Sequence, residues 1–176
     1  GVLDQVSTTT QFDSRFQEIV RQGTGAVPYY ETEQHSVEAD GDIVSDLKRY
    51  DSAHPGSPAY LLNETKTTTT GNGLKTTAAT DVDGNGSFDF SATQQTVLES
   101  DGGTTVIKSR EIAGGTLIDK SSVTTSGNGL VTVTRTDRDG IGGDDMTRTD
   151  TKVLNANGSE TLTSVVRAKD GTELSS

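Results

Sequence analysis

The clearest chemical signal in the sequence is a short run of oxygen-bearing side chains around two glycines. It reads Asp81-Val82-Asp83-Gly84-Asn85-Gly86-Ser87-Phe88-Asp89. Calcium takes six to eight oxygen ligands, and this order matches the first nine positions of an EF-type loop. The ligands would be the side chains at positions 1, 3, 5 and 9 and the backbone carbonyl at position 7: Asp81, Asp83, Asn85, Asp89 and Ser87. Because Ala92 replaces the Glu expected at position 12, we predict a calcium-clamped β-hairpin loop rather than a helix–loop–helix.

A second run of the same kind lies 56 positions later. It keeps the carboxylates of positions 1, 3 and 9, which are Asp137, Asp139 and Asp145. Ile141 replaces the fifth ligand and Arg138 adds a positive charge, so we expect weaker calcium binding or none, unless Asp144 substitutes as a ligand. For both loops the alternative interpretation is an acidic turn that holds no metal.

Both loops belong to a tandem repeat in strict register. Gly71-Asn72-Gly73-Leu74 recurs 56 positions later as Gly127-Asn128-Gly129-Leu130, and Val97-Leu98 recurs as Val153-Leu154. Repeats of this kind bury their apolar face against a neighbouring unit. We predict a first β-repeat at residues 64–119 and a second at 120–176, preceded by a cap or docking region at residues 1–60.

The elements that position these loops should be short antiparallel strands. Gly-Asn-Gly and Asp-Gly turn signals separate runs of strand length with period-two alternation, such as residues 130–135 and 161–166. Hydrophobic residues make up 29% of the chain and aromatic residues 5%, which predicts a thin core. The predicted fold class is therefore mainly β, with antiparallel β-hairpin or meander repeats of 56 residues. The sequence leaves open whether one face packs on a second layer or the strands form a ribbon or solenoid.

The first 60 residues differ from the repeats and contain most of the aromatic side chains. Apolar residues follow the spacing i, i+4, i+7 and i+8, which is the stripe of an amphipathic helix: Phe12, Phe16, Ile19 and Val20. Thr10 is a candidate N-cap and Gly23 a candidate helix end. We therefore predict one short helix in this region.

Charge and composition exclude several classes of function. The net charge of −11 disfavours nucleic-acid binding and requires a counter-charge, for which a divalent cation is the obvious candidate. The chain has no cysteine and no apolar run long enough to span a membrane. His35 and His54 are the only histidines, and neither has metal-ligand spacing or a nucleophile motif beside it. We therefore expect a protein that is not an enzyme.

The Thr-rich strands, Gly-Asn-Gly-Leu turns and Thr-Asp-x-Asp-Gly loops of residues 64–176 resemble repeat regions of large secreted calcium-binding proteins of Gram-negative bacteria. These are haemolysin-type, RTX-associated surface and adhesin proteins. The resemblance implies type I export in an unfolded state, calcium-triggered folding outside the cell and a location at the cell surface. The Gly-Gly-x-Gly-x-Asp array that forms the β-roll of that family is absent.

Together these features predict an extracellular structural protein whose calcium-stabilised repeats associate end to end in a filament, matrix or surface layer. Ser176 falls at a repeat boundary, and the run Thr161 to Arg167 would be an exposed edge strand. The expected partner is a second copy of the chain or neighbouring repeats of a longer chain. The first alternative is a stalk or ligand-binding module of a large adhesin, and the second is a hydrolase that uses His35 or His54 with carboxylates.

Overall fold

A computed structural model describes residues 5–11, 16–23 and 29–176. This part of the chain contains thirteen β-strands, a 3-10 turn at Pro58–Tyr60 and no α-helix. The strands are β1 (Gln5–Gln11), β2 (Phe16–Gly23), β3 (Tyr29–Val37), β4 (Ile43–Asp51), β5 (Leu61–Thr69), β6 (Lys75–Asp81), β7 (Phe90–Leu98), β8 (Thr104–Ile112), β9 (Thr116–Thr125), β10 (Val131–Asp137), β11 (Met146–Leu154), β12 (Glu160–Ala168) and β13 (Glu173–Ser175). The prediction of a mainly β protein is confirmed.

The chain divides into two compact units, Gly1–Ser91 and Ala92–Ser176, with the division inside β7. In the first unit β1 to β6 pair antiparallel in chain order. In the second unit β8 to β13 do the same. The antiparallel meander predicted from the turn signals is therefore found in each unit. The predicted repeat boundaries at residues 64 and 120 fall within β5 and β9, so they rest on the sequence register alone.

The turn chemistry explains why the strands end where they do. In the turn between β5 and β6, Asn72 Oδ1 accepts hydrogen bonds from the Leu74 N–H at 2.9 Å and from the Thr70 hydroxyl at 2.8 Å. Gly73 adopts a φ of +71°, a conformation that glycine reaches without steric cost. The turn between β9 and β10 repeats this network, with Asn128 Oδ1 accepting from the Leu130 N–H at 3.0 Å. The same Gly-Asn-Gly-Leu sequence, preceded by a hydroxyl residue in each case, thus builds the same turn twice.

The predicted N-terminal helix is not found in the described residues and is corrected to a strand. Phe16–Gly23 forms β2, in which Ile19 has Thr9 of β1 and Glu33 of β3 as its cross-strand neighbours. Phe12 lies outside the described residues, and Thr10, the candidate N-cap, lies within β1. Ile19 and Val20 are β-branched and favour strands, and short apolar runs fit either period. Here β1 and β3 both pair with this segment, and these two neighbouring strands stabilise the strand over the helix.

Each unit has very little core. Among the described residues, Tyr50 is the one buried hydrophobic side chain, at 7% exposure, and Asp81 and Asp137 are the buried polar ones. Contacts between elements of a unit join consecutive strands, apart from those of β4 with the Pro58–Tyr60 turn. The sheet of each unit therefore has no second β-layer on either face in the described part of the chain. The thin core predicted from composition is observed.

Cross-strand ion pairs supply part of the stabilisation that a core would otherwise give. In the first unit Arg21 of β2 contacts Glu31 at 3.0 Å and Glu33 at 2.5 Å, both on β3. Arg49 of β4 lies 3.4 Å from Glu31 and places its guanidinium 4.4 Å from the centre of the Tyr29 ring. Pairs directly opposite one another on neighbouring strands are the main lateral contacts of a sheet. Ion pairs between the arginines of β2 and β4 and the glutamates of β3 therefore connect these three strands.

The carboxyl of Glu64 on β5 lies in an environment that disfavours its charged form. Lys48 bonds Asp46 and lies 3.4 Å from Glu64, but Asp46 Oδ1 is buried without a hydrogen-bond partner. Burial, followed by the negative charge of Asp46, raises the pKa of the Glu64 carboxyl despite the nearby ammonium of Lys48. The folded state therefore holds a proton on Glu64 more tightly than the unfolded state does, and it loses stability as pH rises.

We expect Glu64→Gln to remove this loss. The contribution of Glu64 is fully present below its ordinary pKa of 4.5 and disappears as pH rises through the higher folded pKa. The variant should therefore unfold at a higher temperature than the parent near pH 7, by roughly 3 °C, and the gap should close towards pH 4. Thermal unfolding followed by circular dichroism measures this difference. Glu160→Gln, which removes an exposed partner of Lys152, is the matched control, and parallel curves for Glu64→Gln and parent would contradict the assignment.

Candidate metal centre

Each acidic loop connects the end of one strand to the beginning of the next. In the first loop β6 ends at Asp81, and the Asp89 N–H donates to the Thr80 carbonyl at 2.8 Å, which closes the loop at its base. In the second loop β10 ends at Asp137, and the Asp145 N–H donates to the Thr136 carbonyl at 2.8 Å. The strand ends therefore bring the first and last carboxylates of each loop close together.

Asp81 is the anchor of the first loop, because the backbone wraps around its carboxylate. The side chain is fully buried, at 0% exposure. Its Oδ1 accepts from the N–H groups of Gly84 at 2.7 Å and Asp83 at 3.2 Å, and its Oδ2 accepts from the Gly86 N–H at 2.8 Å. Burial acts to raise the pKa of the Asp81 carboxyl, but these donors outweigh burial and hold the pKa below its usual value. Asp81 therefore stays ionised inside the loop.

Three carboxylates converge in this loop. One oxygen from each of Asp81, Asp83 and Asp89 lies within 4.8 Å of the others, although the three side chains differ in exposure. Asp89 Oδ2 also accepts from the Val82 N–H at 2.9 Å. Within the described ranges, no basic side chain lies within 4.0 Å of any of the three carboxylates. A hard divalent cation would relieve the repulsion that this arrangement creates.

The two remaining predicted ligands of the first loop lie in its exposed part. The Asn85 N–H donates to Asp83 Oδ1 at 3.2 Å, and Asn85 Oδ1 accepts from the Ser87 N–H at 2.8 Å. These bonds continue the series begun at Asp81, so every second side chain holds the backbone two residues later. An oxygen that accepts one N–H keeps a second lone pair. The roles of Asn85 and Ser87 as calcium ligands remain predictions.

The first loop lies directly against the beginning of β5. Gly84 has a φ of +72°, and a Cβ added there would lie 2.0 Å from the Leu61 carbonyl oxygen. Gly140 of the second loop has the same relation to β9, with an added Cβ 2.3 Å from the Leu117 carbonyl oxygen. Only glycine allows such an approach. The sequence pattern gave the turn requirement for these glycines but not the strand against which they pack.

The second loop brings together Asp137, Asp139 and Asp145, again with one oxygen of each within 4.8 Å. Asp137 is nearly buried, at 4% exposure, and its Oδ1 accepts from the Gly140 N–H at 2.8 Å. Asp144, the suggested substitute ligand, has Oδ2 3.7 Å from Arg135 Nε. The charge on Asp144 is therefore already partnered.

One residue at the second loop, Lys169, is not among those predicted from the sequence. Its ammonium donates to the Ile141 carbonyl at 3.0 Å and lies 4.0 Å from Asp145 Oδ1. Lys169 lies in the turn after β12, far along the chain from the loop it contacts. The repeat contains a signal for this residue. Ala113 occupies the equivalent position 56 residues earlier, so Lys169 is a positive charge that only the second copy has there.

No protein-family model matches the chain, and neither a curated protein nor a solved structure shows significant similarity to it. In the part of the chain that the structure describes, no helix is sufficiently long and apolar to cross a membrane.

Proposed function

We propose that the chain is an extracellular structural protein, a calcium-stabilised β-repeat unit that associates end to end in a filament, matrix or surface layer. The observation that carries the proposal is the first acidic loop, where three carboxylates converge and no basic side chain of the described residues lies within 4.0 Å of them. Such a loop belongs to a sheet with almost no core, so a bound cation would add stability that burial does not supply. Ca²⁺ fits because every donor in the loop is an oxygen.

The calcium affinity expected for such a loop also supports the proposed extracellular location. Loops that lack the bidentate position-12 Glu have fewer charged ligands, and extracellular modules bind calcium in about the 10⁻⁴ to 10⁻³ M range. Binding of that strength would leave the loop empty in a cell interior and filled outside. The resemblance of residues 64–176 to RTX-associated repeats supports secretion to the cell surface.

The strand order supports the proposal of end-to-end association. Within the described residues β1 and β13 each pair with one neighbouring strand, β2 and β12 respectively. The run Thr161 to Arg167, expected to be an edge, lies in β12, which pairs with β11 along its length and with β13 at Val166 and Arg167. Unpaired strand edges can add a strand from another chain. The partner would be a second copy or an adjacent repeat.

A second candidate function is a stalk or ligand-binding module of a large adhesin. A shallow groove of about 410 Å³ in the second unit favours it, with a lining that includes Glu99, Asp101, Thr105, Thr124 and Val133. The hydrolase alternative finds no comparable support. His35 Nε2 contacts Glu33 at 3.1 Å on a sheet face, and the His54 ring stacks on Tyr60 with centroids 3.7 Å apart.

Calcium titration with sedimentation tests the proposal. In millimolar Ca²⁺ the chain should gain thermal stability and sediment as larger species, whereas chelator or millimolar Mg²⁺ should produce neither effect. Asp83→Asn, which changes an exposed carboxylate of the first loop, should weaken the calcium response by about tenfold or more. Asp40→Asn, at an exposed turn carboxylate outside both loops, should leave it unchanged. A folded monomer that is indifferent to calcium would refute both the metal loop and the association.

A further inference from the structure

The two acidic loops share their carboxylate geometry but differ in the positive charge around them. In the first loop no ammonium or guanidinium group of the described residues lies within 4.0 Å of Asp81, Asp83 or Asp89. In the second loop the Lys169 ammonium reaches the carbonyl of Ile141 and the carboxylate of Asp145. Asp145 is at position 9, where a calcium loop offers a side-chain oxygen to its ion, and Ile141 is at position 5, where the first loop has Asn85 instead.

From this contrast we infer that Lys169 is the resident cation of the second loop and determines which loop takes calcium. The inference rests on the proposed function, because it assigns the calcium of that proposal to the first loop. The ammonium supplies the positive charge that the second loop needs, so the second loop folds without a metal ion and excludes one.

Three geometric facts carry this assignment. The Lys169 Nζ atom donates to a backbone oxygen of the loop at 3.0 Å, which is an ordinary hydrogen-bond length. It also lies 3.1 Å from where a Cβ on Gly142 would stand, so the loop backbone is in close contact with the ammonium. Finally, the Asp145 carboxylate, a predicted ligand, is 4.0 Å away. A Ca²⁺ ion bound through Asp145 would meet the repulsion of the Lys169 ammonium.

The sequence adds an independent contrast within the repeat. Lys169 corresponds to Ala113 at the offset of 56, and Ile141 corresponds to Asn85. At these two positions the second copy has one side-chain oxygen fewer and one ammonium more than the first copy. Both changes favour a loop that carries its own cation over one that recruits calcium.

The test counts calcium ions bound per chain by equilibrium dialysis against Ca²⁺ alone, using the full chain. The parent should bind one ion, which Asp83→Asn weakens. Lys169→Gln keeps a donor for the Ile141 carbonyl but removes the charge, and it should expose a second site with at least about tenfold higher affinity than the parent shows there. Lys152→Gln, which breaks the exposed pair with Glu160 in the same unit, is the charge-matched control and should still bind one ion.

The possible results separate the two claims. One ion for both the parent and Lys169→Gln would overturn the role of Lys169 while leaving the proposed function intact. Two ions of similar affinity in the parent would also overturn it. No ion for the parent but one for Lys169→Gln would support the role of Lys169 and refute calcium binding by the first loop, and no ion in either would refute both claims. Circular dichroism of each variant in chelator establishes that the sheets are formed, and Lys169→Met serves as a second charge-removing variant.

Discussion

Asp81→Ala is expected to unfold the first acidic loop even in chelator and to abolish its response to calcium. The substitution removes the acceptor of three backbone N–H groups, those of Asp83, Gly84 and Gly86. Part-buried donors left without an acceptor are costly, so we expect the unfolding temperature to fall by roughly 10 °C. Amide hydrogen exchange should show the loss directly, as faster exchange at Gly84 and Gly86.

Two comparisons make this result specific. Asp81→Asn keeps one acceptor oxygen and should therefore lose less stability than Asp81→Ala, while also losing the calcium response. The Gly102 amide, bonded to the Glu99 carbonyl at 3.0 Å in a different turn, should keep its exchange rate. If Asp81→Ala unfolded within 2 °C of the parent, about the smallest shift expected for a loss of 1 kcal/mol, the loop would not depend on this carboxylate.

The same hydrogen bonds set the response of the parent to acid. Because they hold the pKa of Asp81 below its ordinary value of 3.8, the unfolded state binds the proton more tightly than the folded state does. The stabilisation is fully present above pH 3.8 and is lost as pH falls through the lower folded pKa. Asp101, whose carboxylate accepts from the N–H groups of Gly103 and Gly127, responds in the same direction.

Gly84→Ala should have a similarly large effect through sterics alone. An alanine Cβ there would lie 2.0 Å from the Leu61 carbonyl oxygen, and the φ of +72° adds backbone strain. The loop must move away from β5, which also breaks the hydrogen bond from the residue 84 N–H to Asp81. We expect a loss of roughly 3 kcal/mol or more in the free energy of unfolding, measured by urea denaturation with fluorescence of Tyr side chains.

Gly86→Ala provides the matched control, because it lies two residues away in the same loop. Its φ is +83°, but an added Cβ would meet no atom within 4 Å. Strain alone should cost about 1–2 kcal/mol. Equal losses for the two variants would mean that the contact of the loop with β5 contributes nothing.

Features determined by nearby residues were predictable from this sequence, and features determined by distant residues were not. The turn at Asn72 and the convergence of Asp81, Asp83 and Asp89 are contained within short segments, so residue type and spacing indicated both. Taken alone, the apolar spacing near Phe16 predicts a helix, but the strands β1 and β3 on either side of the segment make it a strand. The contact of Lys169 with the second loop is not predictable from spacing for the same reason, since the partners are distant in the chain.

The strand order also has a consequence for how the protein acquires its structure. Because each strand pairs with strands next to it in the chain, every hairpin can close over a short loop at a small entropic cost. Topologies dominated by such local pairing fold rapidly. Each new hairpin can be added to those already formed, so assembly within a unit can proceed from one strand to the next while later residues are still unstructured. A chain that emerges gradually through a narrow passage could therefore begin to fold before its last strand has appeared.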